Sequence, residues 1–586
     1  MKPVFRLVIL LCLTLIGAIY SFLGARAQSV KSRSPARTPE TTTTAASLPE
    51  LPRVFLNTTY VEPTGRTLHV GQGSDLQAAL DAAQPGDVIT LQPGATFIGN
   101  FELPARSSQA NSPNEWITIR PAVSDYCLPL PENRISPEYA FLLPKIISPN
   151  PRAAIRTLPG AHHYRLIGLE ISLAGGVDYN SGLVLLGDGS GAQTTVEAIP
   201  HDLILDRCYI HGNRTSNVTR GVALNSARSA VIDSYISEIH GIGFDTQAIC
   251  GWTGPGPFKI VNNYLEAAGE NAMFGGADPN IPGQIPSDIE FRGNHFFKPL
   301  RWWVGAPDYD GIHWSVKNLL ELKNAQRVLF EGNVFENNWG DAQDGYAIIF
   351  KSVNQDGTAP WSVTRDVTFI NNIVRNSENG INLSGFDPNQ PGDLMRRLLI
   401  RNNLWENLDG TPFGGIPGKF LQISNAPDVI VDHNTVLHSG HVISVYGNPS
   451  PNFVYTNNLS AHNEYGVKGD GEGTGNATLN AFLPSAVFTK NVLAGGISSD
   501  YPPNNYFPPN LNDARFVNAA AGVYRLAADS PYRLAGSDGK DLGCDFDVLT
   551  KAMQKNVVLQ SLPRTNQSPK LLCGRSGIVF PPVAPR

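Results

Sequence analysis

A short apolar strand, then an asparagine, then a second apolar pair recurs along most of this chain. It appears as IVNNYL (260–265), FRGNHF (291–296), FEGNVF (330–335), FINNIV (369–374), IRNNLW (400–405), VDHNTV (431–436), YTNNLS (455–460) and FTKNVL (488–493). The shared asparagines are Asn263, Asn294, Asn333, Asn372, Asn403, Asn434, Asn458 and Asn491, and two earlier copies put Cys208 and Ser234 in the same slot. Nine steps from Cys208 to Asn491 cover 283 residues, or about 31 each. The units are β-branched, aromatic and alternating, and Gly, Asn and Asp bound them, which excludes a helical repeat. Each is therefore read as one turn of a solenoid stacked on its neighbours. A recurring asparagine suits such a stack. It tolerates left-handed backbone angles, and its amide can bond to the asparagines above and below.

A second strand per turn lies upstream, in VALNSA, QAICGW, NAMFGG, LELKNA, IIFKSV, INLSGF, LQISNA and ISVYGN. Alternation sends Leu224, Ile249, Phe274, Leu322, Phe350, Leu383, Ile423 and Val445 inward. The following residues, Asn225, Cys250, Gly275, Lys323, Lys351, Ser384, Ser424 and Tyr446, should form one outward row. At the start, Asp75 to Gln84 reads as an amphipathic helix capped by Asp75 and stopped by Pro85-Gly86, placed to cover the end of the core.

Composition changes the picture in two ways. A length of 586 residues suggests about four ordinary domains, but the repeat makes most of it one elongated core. Charged residues are only 16% of the chain, as expected where stacked faces disfavour ladders of like charge. Met1–Arg6, the apolar run Leu7–Leu23 and Ala25-Arg26-Ala27 have the parts of a signal peptide, with cleavage expected before Gln28. Its removal takes away Lys2, Arg6 and Arg26 and no acid, moving the net charge from −6 to −9. That balance disfavours nucleic acid, and no later stretch reaches the ~18 apolar residues of a membrane span. The division expected is a signal over 1–27, a disordered Ser/Thr/Pro linker over 28–50, a solenoid over 51–545 and a tail over 546–586 packing on it. The chain is read as a monomer that is secreted, periplasmic or held at the cell surface. Five cysteines remain after cleavage, too few for a disulfide scaffold, though Cys544 and Cys573 could pin the tail.

The pattern resembles the pectate-lyase-like superfamily. The resemblance is carried by DLQAALDAAQPGDVITLQPG (75–94), HDLILDRCYIHGN (201–213), the asparagine row and YRLAADSPYRLAGSDGKDLGCD (524–545). It covers roughly residues 65–545 and implies an all-β, single-stranded right-handed parallel β-helix with an N-terminal capping helix. Members include polysaccharide lyases, glycoside hydrolases, epimerases, esterases and non-enzymatic surface proteins, so the fold leaves the activity open.

Candidate chemistry sits where the repeat lengthens. The steps Asn294–Asn333 and Asn333–Asn372 are 39 residues each and hold five of the eight tryptophans: Trp302, Trp303, Trp314, Trp339 and Trp361. Indole faces stack on sugar rings, so these five, with Asn382, are candidate substrate-binding residues for a polysaccharide. The same turns carry the only lysines of the outward row, Lys323 and Lys351, about 5 Å apart, with Glu321 on the same face. Two ammonium groups that close repel, so one is expected to serve as a base and the other to stay cationic. Those are the needs of β-elimination from a uronic acid. The segment NLLELKNAQRVLFEGNVF (318–335) looks like the one that carries the lysine base in the alginate lyase and chondroitinase B group, with Lys323 in the matching place. That group's catalytic arginine would fall at Lys351, and its acidic calcium ligands at Asn318 and Val316, so no cofactor is expected. The rival readings are a glycoside hydrolase using Asp341 and Asp344 or Asp308 and Asp310, and a non-catalytic glycan-binding solenoid. His162, His163, His211, His240 and His313 show no metal spacing and read as structural or surface residues.

Overall fold

The computed structural model describes residues 46–106 and 115–554. The signal peptide, most of the 28–50 linker, Cys573 and the tail beyond 554 lie outside the described residues. The chain winds through three long parallel sheets in turn. The first has 14 strands, from Thr67–Val70 to Val487–Thr489. The second has 13, from Thr96–Ile98 to Val492–Ala494, and the third has 12, from Phe101–Leu103 to Val467–Gly469. One turn is typical: Ser287–Arg292 in the first sheet, His295–Phe297 in the second, Leu320–Leu322 in the third, then Ala325–Glu331 back beside the start. Parallel strands need such crossovers, and their handedness makes the coil right-handed. The protein is a right-handed parallel β-helix.

Its interior is a column of stacked side chains. Phe291 lies on Phe330 with centroids 4.8 Å apart, and Phe296 on Phe335 at 4.3 Å. Each fully buried Phe contributes on the order of 1.5–3 kcal/mol. The eight inward residues read from the sequence are all buried. The helix Leu76–Ala82 closes one end of the column with Leu76 and Leu80, and Asp75 caps it by accepting from the Ala78 backbone N–H. The helix Asn476–Phe482 buries Leu479 in the same core near its last turns.

The asparagine row runs unbroken. Each side-chain amide donates to the Oδ1 of the next, over 2.9–3.2 Å from Asn263 through Asn458 to Asn491. That same Oδ1 also takes the preceding turn's backbone N–H, as Asn333 Oδ1 does from Asn294 at 3.0 Å. The left-handed residue is not the ladder asparagine but the one before it: Asn262, Gly293, Gly332, Asn371, Asn402, His433, Asn457 and Lys490. The corner is thus split between two residues, one bending the backbone and one bonding along the axis.

A second row runs six residues before the ladder. Asp288, Arg327, Asp366, Arg397 and Asp428 all have left-handed φ and alternate in charge on adjacent turns. Along it lies an extended strap. The backbone N–H groups of Ser47, Glu50 and Arg53 donate to Asp428 (3.5 Å), Asp366 (3.1 Å) and Asp288 (2.9 Å). Three residues of extended chain reach about 10 Å and two turns rise about 9.6 Å, so every third residue meets every second turn. Further on, Leu56 and Thr58 give their carbonyls to Lys259 and Arg165. The segment read as a linker to residue 50 therefore has its last residues bound to the solenoid.

At the other end, residues 510–554 turn back outside the coil. Phe546–Met553 is helical and packs Leu549 and Met553 against Val334, Ile373 and Leu404. Cys544 in this segment is a buried free thiol, not half of a bridge to Cys573; Cys127 is the disulfide-bonded one. Burial holds the Cys544 thiol well above its usual range. Among the described residues no helix is long and apolar enough to cross a membrane.

Candidate functional site

The outward face of the third sheet changes character along its length. In register, Ala223, Cys250, Met273, Glu321, Ile349, Asn382 and Gln422 form one row. Cys250 therefore belongs to the Glu321 row and not, as the alternation predicts, to that of Lys323. The cause is a slip of two residues, since Ile249 pairs with Val222 and Ala272 rather than with Leu224 and Phe274. Toward the N-terminal end the face is apolar, with Cys250 and Met273 packed with Trp252. Beyond Met273 it is polar apart from Ile349.

There Lys323 and Lys351 come together as expected, one residue past the paired Leu322 and Phe350. Both ammonium nitrogens lie 3.7 Å from the same oxygen, Glu321 Oε1. The Glu321 side chain is 0% exposed, against 12% for Lys323 and 26% for Lys351. Neither carboxylate oxygen of Glu321 accepts a hydrogen bond, and Asn382 Oδ1 is likewise buried without a donor. One carboxylate thus balances two ammonium groups, leaving one positive charge on the face.

One turn back, Glu270 is fully buried and accepts from Gln247 at 2.8 Å. Burial, helped by Glu321 and Asp245 and opposed by Lys317 and Gln247, lifts its carboxyl to about 7. Lys317 reaches both Asp245 (2.5 Å) and Glu270 (3.7 Å). Behind them Lys298, wholly buried, donates to the carbonyls of Ala267, Ala268 and Gly269, and burial pushes it down to about 7.

Calcium fits this patch poorly. Of the two positions that the family resemblance names, Asn318 offers a buried Oδ1 with no donor, but Val316 has no side-chain oxygen. A calcium ion needs six to eight oxygens, and the ammonium of Lys317 already sits among the acids.

The tryptophans are placed differently from a sugar-stacking row. Trp302, Trp314 and Trp339 are 1–2% exposed and pack together with Ala268 and Val316. Trp314 also stacks on His240 at 3.7 Å, and Trp303 meets Phe413 edge-on. This cluster ties together the long loops that lead into the third sheet. Trp361 fixes the loops that leave it: its Nε1 donates to the Gln284 carbonyl at 3.1 Å, while Asp278 accepts from Thr358 and Ala359 nearby. The rings hold the borders of the polar face and offer it little free aromatic surface.

One carboxylate of each pair in the hydrolase reading is engaged elsewhere. Asp341 accepts from the Val316 N–H and pairs with His313 at 2.6 Å, while Asp310 pairs with Arg214 and Arg301. Asp308 and Asp344 are exposed.

No family model matches this chain, and no curated protein does. Solved structures do. An alginate lyase from Paenibacillus sp. str. FPU-7 is 13% identical over 72% of this chain and 99% of that one, with a TM-score of 0.31. The PL6 family alginate lyase AlyGC is 14% identical over 74% and 53%, with a TM-score of 0.43, so this chain spans about half of its length. The catalytic unit of a GH87 alpha-1,3-glucanase from Streptomyces thermodiastaticus strain HF3-3 is 13% identical over 77% and 71%, with a TM-score of 0.46. At these identities and scores the likenesses carry neither a residue nor a role across to this chain.

Proposed function

We propose that the protein is an exported carbohydrate-active β-helix that takes an acidic, uronate-containing polysaccharide along the polar half of the third sheet and cleaves it by β-elimination. The observation that supports this reading is the Lys323–Glu321–Lys351 group: two ammonium groups on one buried carboxylate that has no hydrogen-bond donor. The leftover positive charge meets the uronate carboxylate, with Lys351, the more exposed lysine, as its partner. Lys323, the less exposed of the two lysines, is cast as the base, which must be an uncharged amine to accept a proton. The amine then takes the proton on the carbon next to the substrate carboxylate. The electron pair forms the new double bond, the glycosidic carbon–oxygen bond on the far carbon breaks, and its oxygen leaves with that bond's electrons and takes up a proton from water to end as a hydroxyl. The second ammonium offsets the charge that builds on the carboxylate during this step.

A second reading, glycan binding without cleavage, is favoured by the equal 3.7 Å reach of both lysines to Glu321, which ties both of them down. One experiment separates the two. Incubation with a panel of acidic and neutral polysaccharides is followed by ultraviolet absorbance of unsaturated uronate and by reducing ends. Unsaturated product that disappears in Lys323→Ala and Lys351→Ala supports elimination. Reducing ends without unsaturation would make it a hydrolase, and retention of an acidic glycan without product leaves binding.

A further inference from the structure

On the first sheet, far along the chain from these lysines, three neighbouring strands gather Glu115, His162, His163, His201 and Asp202. Consecutive residues of a regular strand point to opposite faces, but His163 has a left-handed φ of 58°, which swings its ring beside that of His162. The two Nδ1 atoms end 2.7 Å apart, and Glu115 Oε2 lies 3.6 Å from His163 Nδ1. On the other edge of the first ring, His162 Nε2 is 2.9 Å from the Arg106 carbonyl oxygen. A carbonyl only accepts, so that nitrogen carries the hydrogen and His162 Nδ1 presents a lone pair. The proton between the two rings therefore belongs to His163.

We propose that Glu115, His162 and His163 form a binding site for a divalent transition-metal ion of the zinc class, which takes the place of the proton shared by the two imidazoles. Two imidazole nitrogens and one carboxylate oxygen are a donor set that zinc favours, with a fourth position left to water. Donors around a tetrahedral zinc stand about 3.3 Å apart. The separations of 2.7 and 3.6 Å bracket that value, so small side-chain rotations complete the site. Metal-bound histidines usually donate their other nitrogen to an acceptor, and His162 Nε2 has one in the Arg106 carbonyl at 2.9 Å. Asp202, held by Arg228 at 2.7 Å, lies within ion-pair reach of His163 Nε2 at 3.9 Å but beyond hydrogen-bond length. His201 stacks on His162, but its Nδ1 faces Asp202 and the Arg228 guanidinium, which keeps it out of the donor set.

The test uses the full chain, stripped with a chelator and titrated with zinc sulfate in a calorimeter, with cobalt(II) absorption reporting four-coordination. One equivalent of zinc should bind. His163→Ala and Glu115→Gln should each weaken binding by about 100-fold or more. Asp202→Asn should weaken it by about 10- to 100-fold as a positioning residue, and His201→Ala by less than about threefold. Absence of zinc binding would overturn the site, and so would wild-type affinity in Glu115→Gln, whose carboxylate lies just before the strand Ile117–Pro121 and whose fold is checked by thermal melting.

Discussion

The asparagine row and the Glu321 face climb the same turns of the same coil, and Asn333 and Glu321 are both fully buried. They differ in how their polar atoms are satisfied. Asn333 uses both ends of its amide: it donates to Asn372 and to the Phe291 carbonyl and accepts twice from Asn294. Glu321, on the strand before the one that leads to Asn333, has two lysines within ion-pair reach and no hydrogen bond at all. A closed ladder serves stability, whereas an open carboxylate at a charged face is where a ligand or a proton can be received.

The largest effect that would sharpen this contrast is on turnover. Lys323→Ala or Lys351→Ala should lower elimination by about a thousandfold, equivalent to about 4 kcal/mol, while the melting curve stays near that of the parent. Next comes the ladder. Asn333→Leu removes an amide that donates two hydrogen bonds and accepts two in the buried interior and should cost about 3 kcal/mol in denaturant unfolding, with little change in turnover per folded molecule. A loss below 1 kcal/mol would break the contrast from the structural side. Glu321→Gln leaves two partly buried ammonium groups without their carboxylate, so it should cost about 2 kcal/mol in denaturant unfolding and lower activity by about tenfold or more.

The smallest effect is in pH. Folding lifts Glu270 to about 7, mainly through burial, from about 4.3 in an unfolded chain. Its raised value favours the protonated fold, so this contribution is full below about pH 4.3 and is lost as pH rises through 7. Glu270→Gln should therefore reduce the fall in melting temperature between pH 5 and pH 8 by about 2–4 °C.

The repeat was legible because eight asparagines keep one offset from alternating strands, and periodicity in sequence becomes adjacency in space. Lys323 and Lys351 could be paired for the same reason. The slip at Cys250 could not be seen, because the turn from Gln247 to Glu270 is only 23 residues and a two-residue shift preserves alternation. Nor could the burial of Trp302, Trp314 and Trp339, which depends on loops from separate turns meeting. The Asp–Arg row, by contrast, left a signal that pattern reading missed. Counting back six from Asn294, Asn333, Asn372, Asn403 and Asn434 gives Asp288, Arg327, Asp366, Arg397 and Asp428. The His162–His163 pair had no sequence spacing to betray it, since Glu115 arrives from the turn before.

The strap bears on how such a stack comes apart. A solenoid whose turns touch only their neighbours behaves as a one-dimensional chain, opening at an end and losing one unit at a time. A strand laid lengthwise and fastened at Asp428, Asp366, Asp288 and Arg165 spans nine strands of the first sheet. No turn beneath it can separate from the next without stretching or shedding that tie. Distant turns thereby share one fate. The middle of the coil should exchange its amide hydrogens as a single cooperative block.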